Sequence, residues 1–279
     1  MDSQLVQAIV LGIVQGLTEF LPVSSSGHLI VVPAILGWRD PFIDSLAFSV
    51  MLHMATLLAL LVYFRADWLR LIPAGLASIR DRSIAGDPDR RLAWLLVVAT
   101  IPAVIAGVLL NDAIETVFRD WRLVAITLVI GAAILYLADR LGSHARRVDS
   151  VSFPLAFGIG AAQALALVPG ISRSGISISA GLFAGLDRES AARFSFLMAT
   201  PITAGAGLWE LRKLVAGEAG VVIPLVPLAA GMLAALIAGL LAIAATLRYL
   251  RTRGVGVFVA YRIALAALVF VAWLGLWDR

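Results

Sequence analysis

Long apolar runs separated by short polar breaks fill almost the whole chain. Six runs are long enough to cross the roughly 30 Å hydrocarbon core of a bilayer as α-helices, at about 1.5 Å per residue. They lie near residues 45–64, 92–110, 123–139, 193–211, 221–247 and 257–276. The pattern therefore predicts an all-α polytopic membrane protein, with residues 1–279 forming a single integral membrane domain.

Two further apolar regions, 5–36 and 152–186, are interrupted in the middle. Pro22 cuts the first region, and Pro169 with Gly170 cuts the second. Proline lacks a backbone donor and clashes with the preceding turn, so each region becomes two pieces that are too short to span alone. We expect these regions to form two re-entrant helical hairpins.

The two interrupted regions overlay without a gap at an offset of 148 residues. Matched pairs include Gly12 and Gly160, Ser24 and Ser172, Ser26 and Ser174, and Gly27 and Gly175. This overlay indicates an internal repeat with halves at residues 1–148 and 149–279. The reactive side chains have diverged: Glu19, Ser25 and His28 in the first copy correspond to Leu167, Arg173 and Ile176 in the second.

Arginine-rich connectors give the orientation. Residues 65–91, 140–147 and 248–253 carry most of the connector arginines and should be cytoplasmic, which places the 112–122 connector outside. Three spans then separate the hairpins, so the first enters from outside and the second from inside. Inverted repeats with broken helices bring their breaks together near the bilayer midplane.

Composition supports the membrane assignment. With 61% hydrophobic residues, 14% charged residues and a mean hydropathy of +0.97, the chain has too little polar surface for a soluble globule. The absence of cysteine excludes disulfides and thiolate metal sites. We interpret the net charge of +4 as a topology signal from arginines at the membrane surface and not as a nucleic-acid footprint. The first twenty residues lack a basic leader, so we expect them to belong to the fold.

Glu19 places a carboxylate within an apolar helix. A charged side chain inside a membrane has a high free-energy cost, so a functional role is the default expectation. Gln15 lies four residues earlier and shares the same helix face. The two side chains could serve only as hydrogen-bonding partners between helices. Alternatively, Glu19 assisted by Gln15 could hold a hard cation whose remaining ligands are substrate oxygens.

His28 follows Ser25 by three residues, a spacing that makes a hydroxyl nucleophile with an adjacent base geometrically reasonable. A histidine that is simply buried and hydrogen-bonded is the alternative. His53 and Gln163 could line the same cavity, although packing roles are at least as plausible.

Serines follow both breaks, at Ser24, Ser25 and Ser26 in one copy and at Ser172 and Ser174 in the other. Some of them must cap the half-helices that begin there. A helix N-terminus with spare N–H donors and hydroxyls is also an anion site.

Arg173 stands between two of these serines, far from any basic connector. Its guanidinium could extend to the membrane interface, or it could bind phosphate oxygens in a fork. The two hairpin tips together supply hydroxyls, a guanidinium, a carboxylate and an imidazole. This set of groups is typical of phosphoryl transfer, in which positioning and charge neutralisation dominate.

These motifs resemble the signatures of the bacterial undecaprenyl-diphosphate phosphatases, also called bacitracin resistance proteins. Residues 15–28 and 169–175 match the two signatures, and residues 185–196 are also similar to the family's sequence. The resemblance covers essentially the whole chain. It implies hydrolysis of the C55 isoprenoid diphosphate to the monophosphate and inorganic phosphate, which recycles the lipid carrier of peptidoglycan synthesis in the bacterial inner membrane. The site is expected to open toward the periplasmic or outer face.

Carried over by position, the resemblance implies that Glu19, Ser25, His28 and Arg173 are catalytic. It also implies a divalent cation, Mg²⁺ or Ca²⁺, held by Glu19 and Gln15. The residues expected to contact substrate are Gln15, Ser24, Ser26, Gly27, Gly170, Ser172, Ser174, Gly175 and Ser177. Gln15 is glutamate in some members, and Ser177 stands where the signature usually has threonine. The nucleophile stays open between Ser25, His28 and a metal-bound water.

The expected partners are a polyprenyl diphosphate lipid and the bilayer, without nucleic acid, and a homodimer is left open. The rival function is a transporter or flippase for an anionic polyprenyl lipid, because inverted repeats with midplane breaks are a transporter design. Transport needs an anion site but no nucleophile with its base, so Ser25 and His28 favour hydrolysis.

Overall fold

A computed structural model describes residues 3–110, 121–216 and 222–275, and this part of the chain is helical, with one isolated β-bridge between Arg146 and Leu186. The α-helices are α1 Ser3–Phe20, α2 Ser25–Leu36, α3 Leu46–Tyr63, α4 Arg65–Asp81, α5 Pro88–Leu109, α6 Trp121–Leu141, α7 Phe153–Ala164, α8 Arg173–Phe183, α9 Arg188–Val215, α10 Leu225–Leu250 and α11 Gly256–Gly275. Most of the 112–122 connector lies outside the described residues.

Helices α3, α5, α6 and α10 are each long and apolar enough to cross a membrane. Helices α9 and α11 occupy the other two predicted spans, although the charged ends of α9 lower its mean hydropathy. The prediction of an all-helical polytopic membrane protein is confirmed.

Helix α4 was not predicted, because its segment was interpreted only as a basic connector. It buries Asp67, Leu71 and Ser78 while its arginines face outward. The exposed side of α4 also carries Leu69, Ile72, Leu76 and Ile79, but arginine and aspartate residues divide the segment into apolar runs that are too short to resemble a span.

Both predicted breaks are present. The first hairpin changes direction between α1 and α2 at residues 21–24, and the second between α7 and α8, after a 3₁₀ turn at Leu165–Leu167. Helices α2, α7 and α8 contain 12, 12 and 11 residues, as expected for half-length pieces. Helix α1 contains 18 residues and is longer than the predicted half-length piece.

Each hairpin packs against a helix of the other half of the chain. Helix α1 lies along α10, and a Cβ atom on Gly12 would overlap the carbonyl of Gly231. Helix α7 lies along α5 in the same way, with Gly160 against the carbonyl of Ala99. Glycines at these points let the backbones approach closely, as is common between membrane helices.

The arginine-rich end of the fold is held by ion pairs. Asp67 accepts from Arg70 at 2.8 Å and from Arg193 at 2.6 Å, while Asp139 accepts from Arg188 at 2.5 Å. These contacts attach α4 and α6 to the first turns of α9.

The loop before α3 is organised by one carboxylate. Asp40 accepts from the amides of Phe42 at 2.9 Å and Ile43 at 3.0 Å, and from the side chain of Gln4 at 2.9 Å. Burial alone would raise the pKa of Asp40, but these hydrogen bonds lower the pKa below its ordinary value of 3.8.

Candidate active site

The two half-helices that follow the breaks begin in the same way. Ser24 caps α2 with φ 77°, and its hydroxyl accepts from the amide of Gly27 at 3.3 Å. Ser172 caps α8 with φ 74°, and its hydroxyl accepts from the amide of Gly175 at 3.1 Å. A positive φ is unusual for serine, so the same strained cap at both sites supports the equivalence of the two copies.

The two hairpin tips contact each other directly. The hydroxyl of Ser24 accepts a second hydrogen bond from the amide of Gly170 at 3.1 Å. In the other direction, Ser174 donates to the carbonyl of Leu21 at 3.1 Å. Each copy therefore has one serine whose hydroxyl is hydrogen-bonded to the backbone of the other copy. The N-termini of α2 and α8 meet at this place.

Glu19 lies at this junction, with a side chain that is only 5% exposed. Its Oε1 accepts from Arg173 Nη2 at 2.5 Å. Its Oε2 accepts from Gln15 Nε2 at 3.0 Å and also from the hydroxyl of Ser25. The structure thus brings together four predicted site residues, and the carboxylate of one copy binds the guanidinium of the other.

A histidine whose role the sequence left open faces the same carboxylate. His53, on α3, places Nε2 3.6 Å from Glu19 Oε2. Its Nδ1 lies 2.8 Å from the carbonyl of Ser49, and because a carbonyl can only accept, Nδ1 carries a proton. No local motif marks His53, because its proximity to Glu19 depends on how α3 packs against α1.

His28 is directed elsewhere. Its Nδ1 donates to the carbonyl of Ser24 at 2.6 Å, and its Nε2 lies 2.7 Å from the hydroxyl of Tyr261. The two rings stack with centroids 5.7 Å apart and an interplanar angle of 9°. In this structure, Ser25 is therefore hydrogen-bonded to Glu19, whereas His28 pairs with Tyr261 of α11.

The other predicted contacts divide between the tips and the surrounding packing. Ser26 lies 3.5 Å from the hydroxyl of Ser24. Ser177 is turned away from the tips, because its hydroxyl lies 2.6 Å from that of Ser195 and bonds the carbonyl of Arg173 at 2.7 Å. Gln163 is buried without a hydrogen-bond partner, and no recorded contact joins it to the Glu19 cluster.

Comparison with known sequences identifies the family. A family model described as bacitracin resistance protein BacA matches residues 8–268. The chain belongs to the BacA family. This confirms the resemblance inferred from the two signatures.

Several BacA relatives match almost end to end. The undecaprenyl-diphosphatase of Moorella thermoacetica is 46% identical over 269 residues, which cover 96% of this chain and 98% of the relative. That of Gemmatimonas aurantiaca is 47% identical over 264 residues, covering 95% and 96%. That of Desulforudis audaxviator is 44% identical over 265 residues, again covering 95% and 96%.

The ligand atoms at the hairpin tips suit a hard cation only if substrate completes its shell. Within the described ranges, no group of three or more His, Asp or Glu side chains is placed so that it could hold a metal ion. Glu19 is one carboxylate, and the Oε1 atom of its neighbour Gln15 is buried without a hydrogen-bond partner. Amide and carboxylate oxygens are hard-cation ligands, and Mg²⁺ commonly combines one or two carboxylates with substrate phosphates and water. The residues present therefore fit such a cation.

An apolar groove borders the hairpin tips. It has a volume of about 490 Å³ and runs between α2, the loop before α3 and the start of α3. Ser26 and Pro169, one from each hairpin, line the groove together with Trp38 and Arg39, which follow α2. Apolar and polar side chains both line the groove, which suits a ligand that has an apolar and a polar part.

Proposed function

We propose that this chain is an integral membrane phosphatase that hydrolyses undecaprenyl diphosphate to undecaprenyl phosphate and inorganic phosphate. The observation that carries the proposal is the convergence of Glu19, Ser25 and Arg173 at the junction of two helix N-termini. The relatives named above as undecaprenyl-diphosphatases support the same substrate. The reaction returns the lipid carrier to peptidoglycan synthesis, and a high activity opposes bacitracin.

The diphosphate binds where the tips meet. The N-termini of α2 and α8 provide backbone donors and favourable dipoles for an anion. Arg173 is bound to Glu19 before substrate arrives, and phosphate oxygens compete for the same guanidinium. Substrate binding therefore draws Arg173 away from Glu19 Oε1 and frees the carboxylate to act as a base.

Ser25 is then positioned to attack the terminal phosphorus. Its hydroxyl already donates to Glu19 Oε2, so the carboxylate takes the proton as the Oγ–P bond forms. The P–O bond to the bridging oxygen breaks, and undecaprenyl phosphate leaves. Water then attacks the phosphoserine, inorganic phosphate departs and Ser25 regains its proton. His28 holds the Ser24 carbonyl and so fixes the turn that presents Ser25.

Glu19 Oε1, which substrate binding frees from Arg173, and Gln15 Oε1 would hold a divalent cation, Mg²⁺ or Ca²⁺, which would neutralise charge that develops on the phosphates, while Oε2 stays with Ser25. Direct attack by water and attack by His28 remain as alternative routes. Trapping a phosphorylated protein and locating the phosphate by mass spectrometry distinguishes them: phosphoserine at Ser25 supports the route above.

We place the chain in the bacterial plasma membrane with six spans and two re-entrant hairpins, and with the tips open toward the outer face. The apolar groove would receive the first isoprene units of the tail while the rest stays in the bilayer. The chain has no native cysteine, so one cysteine introduced at exposed Ile84 should react with an impermeant maleimide only from the cytoplasm. Labelling from outside would invert this topology.

Phosphate release from undecaprenyl diphosphate by the purified protein with Mg²⁺ tests the activity. Arg173→Ala and Glu19→Gln should each lower the rate by about a hundredfold or more, because the first removes charge stabilisation of the phosphates and the second removes the base that takes the Ser25 proton. The matched control is an exposed ion pair among the basic connectors. Its distance is 2.7 Å between Arg251 Nη2 and Glu189 Oε1. Arg251→Ala and Glu189→Gln should leave the rate unchanged.

The proposal fails if the wild type releases no phosphate, or if Arg173→Ala releases it at the wild-type rate. A protein that moves the labelled lipid between leaflets of a vesicle without releasing phosphate would instead be the rival transporter.

A further inference from the structure

Helix α11 places a charged side chain in the interior of the fold. Arg262 is 0% exposed and is the largest fully buried side chain within the described residues. Its guanidinium donates to five backbone carbonyls. These are Pro22 at 3.2 Å, Gly170 at 2.8 Å, Ile171 at 3.0 Å, Leu128 at 3.2 Å and, weakly, Thr127 at 3.5 Å.

Two of the carbonyls that Arg262 binds are related by the internal repeat. Pro22 lies in the break of the first hairpin, and Gly170 is its counterpart 148 residues later in the second. One guanidinium therefore bridges equivalent positions of the two copies, two residues before each capping serine. A planar fork with five N–H donors can do this, whereas an ammonium group presents three donors from a single point.

This contact explains how the strained tips are held. Ser24 and Ser172 both have φ values near +75°, and such conformations persist only where surrounding structure fixes them. Arg262 also approaches the first turn of α8, where a Cβ on Gly175 would lie 3.0 Å from Nη1. Arg262 thus contacts the first turn of α8 and the break that precedes α2.

Within residues 3–110, 121–216 and 222–275, Arg262 forms no ion pair with a carboxylate, whereas Arg173 is neutralised by Glu19. A buried cation compensated only by carbonyl dipoles favours an incoming anion, and its influence extends over several ångströms where the dielectric constant is low.

We propose that Arg262 is a positioning residue that holds the two hairpin breaks in register and supplies the uncompensated positive charge behind the diphosphate site. The inference rests on the proposed phosphatase activity. It predicts that shape and charge at this position affect different kinetic constants.

Arg262→Lys and Arg262→Gln separate the two effects. We expect Arg262→Lys, which keeps the charge but not the fork, to lower kcat at least about tenfold while KM changes less than about threefold. Arg262→Gln should lower kcat similarly and also raise KM. Ligand-induced thermal stabilisation by a farnesyl methylenediphosphonate should follow KM, and so persist in the lysine variant and disappear in the glutamine variant. Arg251→Lys and Arg251→Gln are the surface controls.

A glycine substitution tests the same contact without changing any charge. A Cβ on Gly131 of α6 would overlap Nη2 of Arg262, so Gly131→Ala should displace the guanidinium and lower kcat in the folded protein. Gly107→Ala is the matched control, because no atom lies within 4 Å of its added Cβ. Wild-type kcat in Arg262→Lys and Gly131→Ala would overturn the proposal, and so would losses fully explained by a smaller folded fraction. An inactive wild type would instead refute the phosphatase assignment.

Discussion

The two capping serines offer a quantitative test of how the tips are joined. Ser24 and Ser172 occupy equivalent positions of the repeat, and each caps a helix with a φ near +75°. Their hydroxyls nevertheless accept different numbers of hydrogen bonds from backbone amides. Ser24 accepts from two backbone amides, Gly27 at 3.3 Å and Gly170 at 3.1 Å. Ser172 accepts from one, Gly175 at 3.1 Å. Alanine at either position removes the acceptor and leaves buried N–H groups unpaired.

Each buried donor that loses its partner costs about 1–3 kcal/mol. The strain of a positive φ is the same for both alanine variants and cancels in the comparison. We therefore expect Ser24→Ala to lower the free energy of unfolding by about 1–3 kcal/mol more than Ser172→Ala does. The excess reports the Ser24–Gly170 hydrogen bond between the copies.

Reversible unfolding in detergent micelles, followed by tryptophan fluorescence, measures the two free energies. Ser152→Ala is the reference, because Ser152 caps α7 with an ordinary φ of −95° and one amide partner at 3.4 Å. Its cost should be about 1 kcal/mol, which is typical for loss of a cap. Equal destabilisation by Ser24→Ala and Ser172→Ala would show that the hydrogen bond between the tips contributes nothing.

Three further predictions concern charge at and near the site. Gln15→Glu adds a second carboxylate beside Glu19, so the Mg²⁺ concentration for half-maximal phosphate release should fall by about tenfold; an unchanged titration would argue against Gln15 as a ligand. His53→Ala should slow phosphate release by about tenfold, equivalent to 1.4 kcal/mol, because it removes the imidazole that faces Glu19. His144→Ala, in the loop after α6, should not, and equal rates for the two variants would count against a role for His53. The lowered pKa of Asp40 stabilises the fold above the unfolded value of about 3.8, and this contribution is lost as pH falls through the folded value. On acidification from about pH 6 to about pH 3, Asp40→Asn should therefore lose less thermal stability than the wild type; parallel losses would contradict this reasoning.

Local sequence signals were enough to predict where the helices that form the site end and begin. Pro22 and Pro169 determine where helices must stop, since proline acts on its own backbone and the preceding turn. The serines and glycines after each break indicate helix starts for the same reason, and the repeat aligns the two copies. The meeting of Glu19 with Arg173 followed from the combination of broken helices with an inverted repeat.

Contacts made by distant elements could not be predicted in this way. Tyr261 and Arg262 lie more than 230 residues from their partners in the first tip, on a helix whose pattern indicates only a span. The hydrogen bond of His28 to Tyr261 replaces the expected one to Ser25 because side-chain direction depends on packing as well as spacing. Ser177 lies within the signature, yet it turns toward Ser195, since α8 presents that face to α9.

The packing of each hairpin against the opposite half bears on how such a chain could have arisen. A polypeptide corresponding to one half lacks the helix against which its hairpin packs most extensively, because α1 rests on α10 and α7 rests on α5. Two identical copies inserted in opposite orientations would supply that helix to each other and form two equal tips. Gene duplication and fusion would then free each tip to specialise, one toward chemistry and the other toward holding the anion.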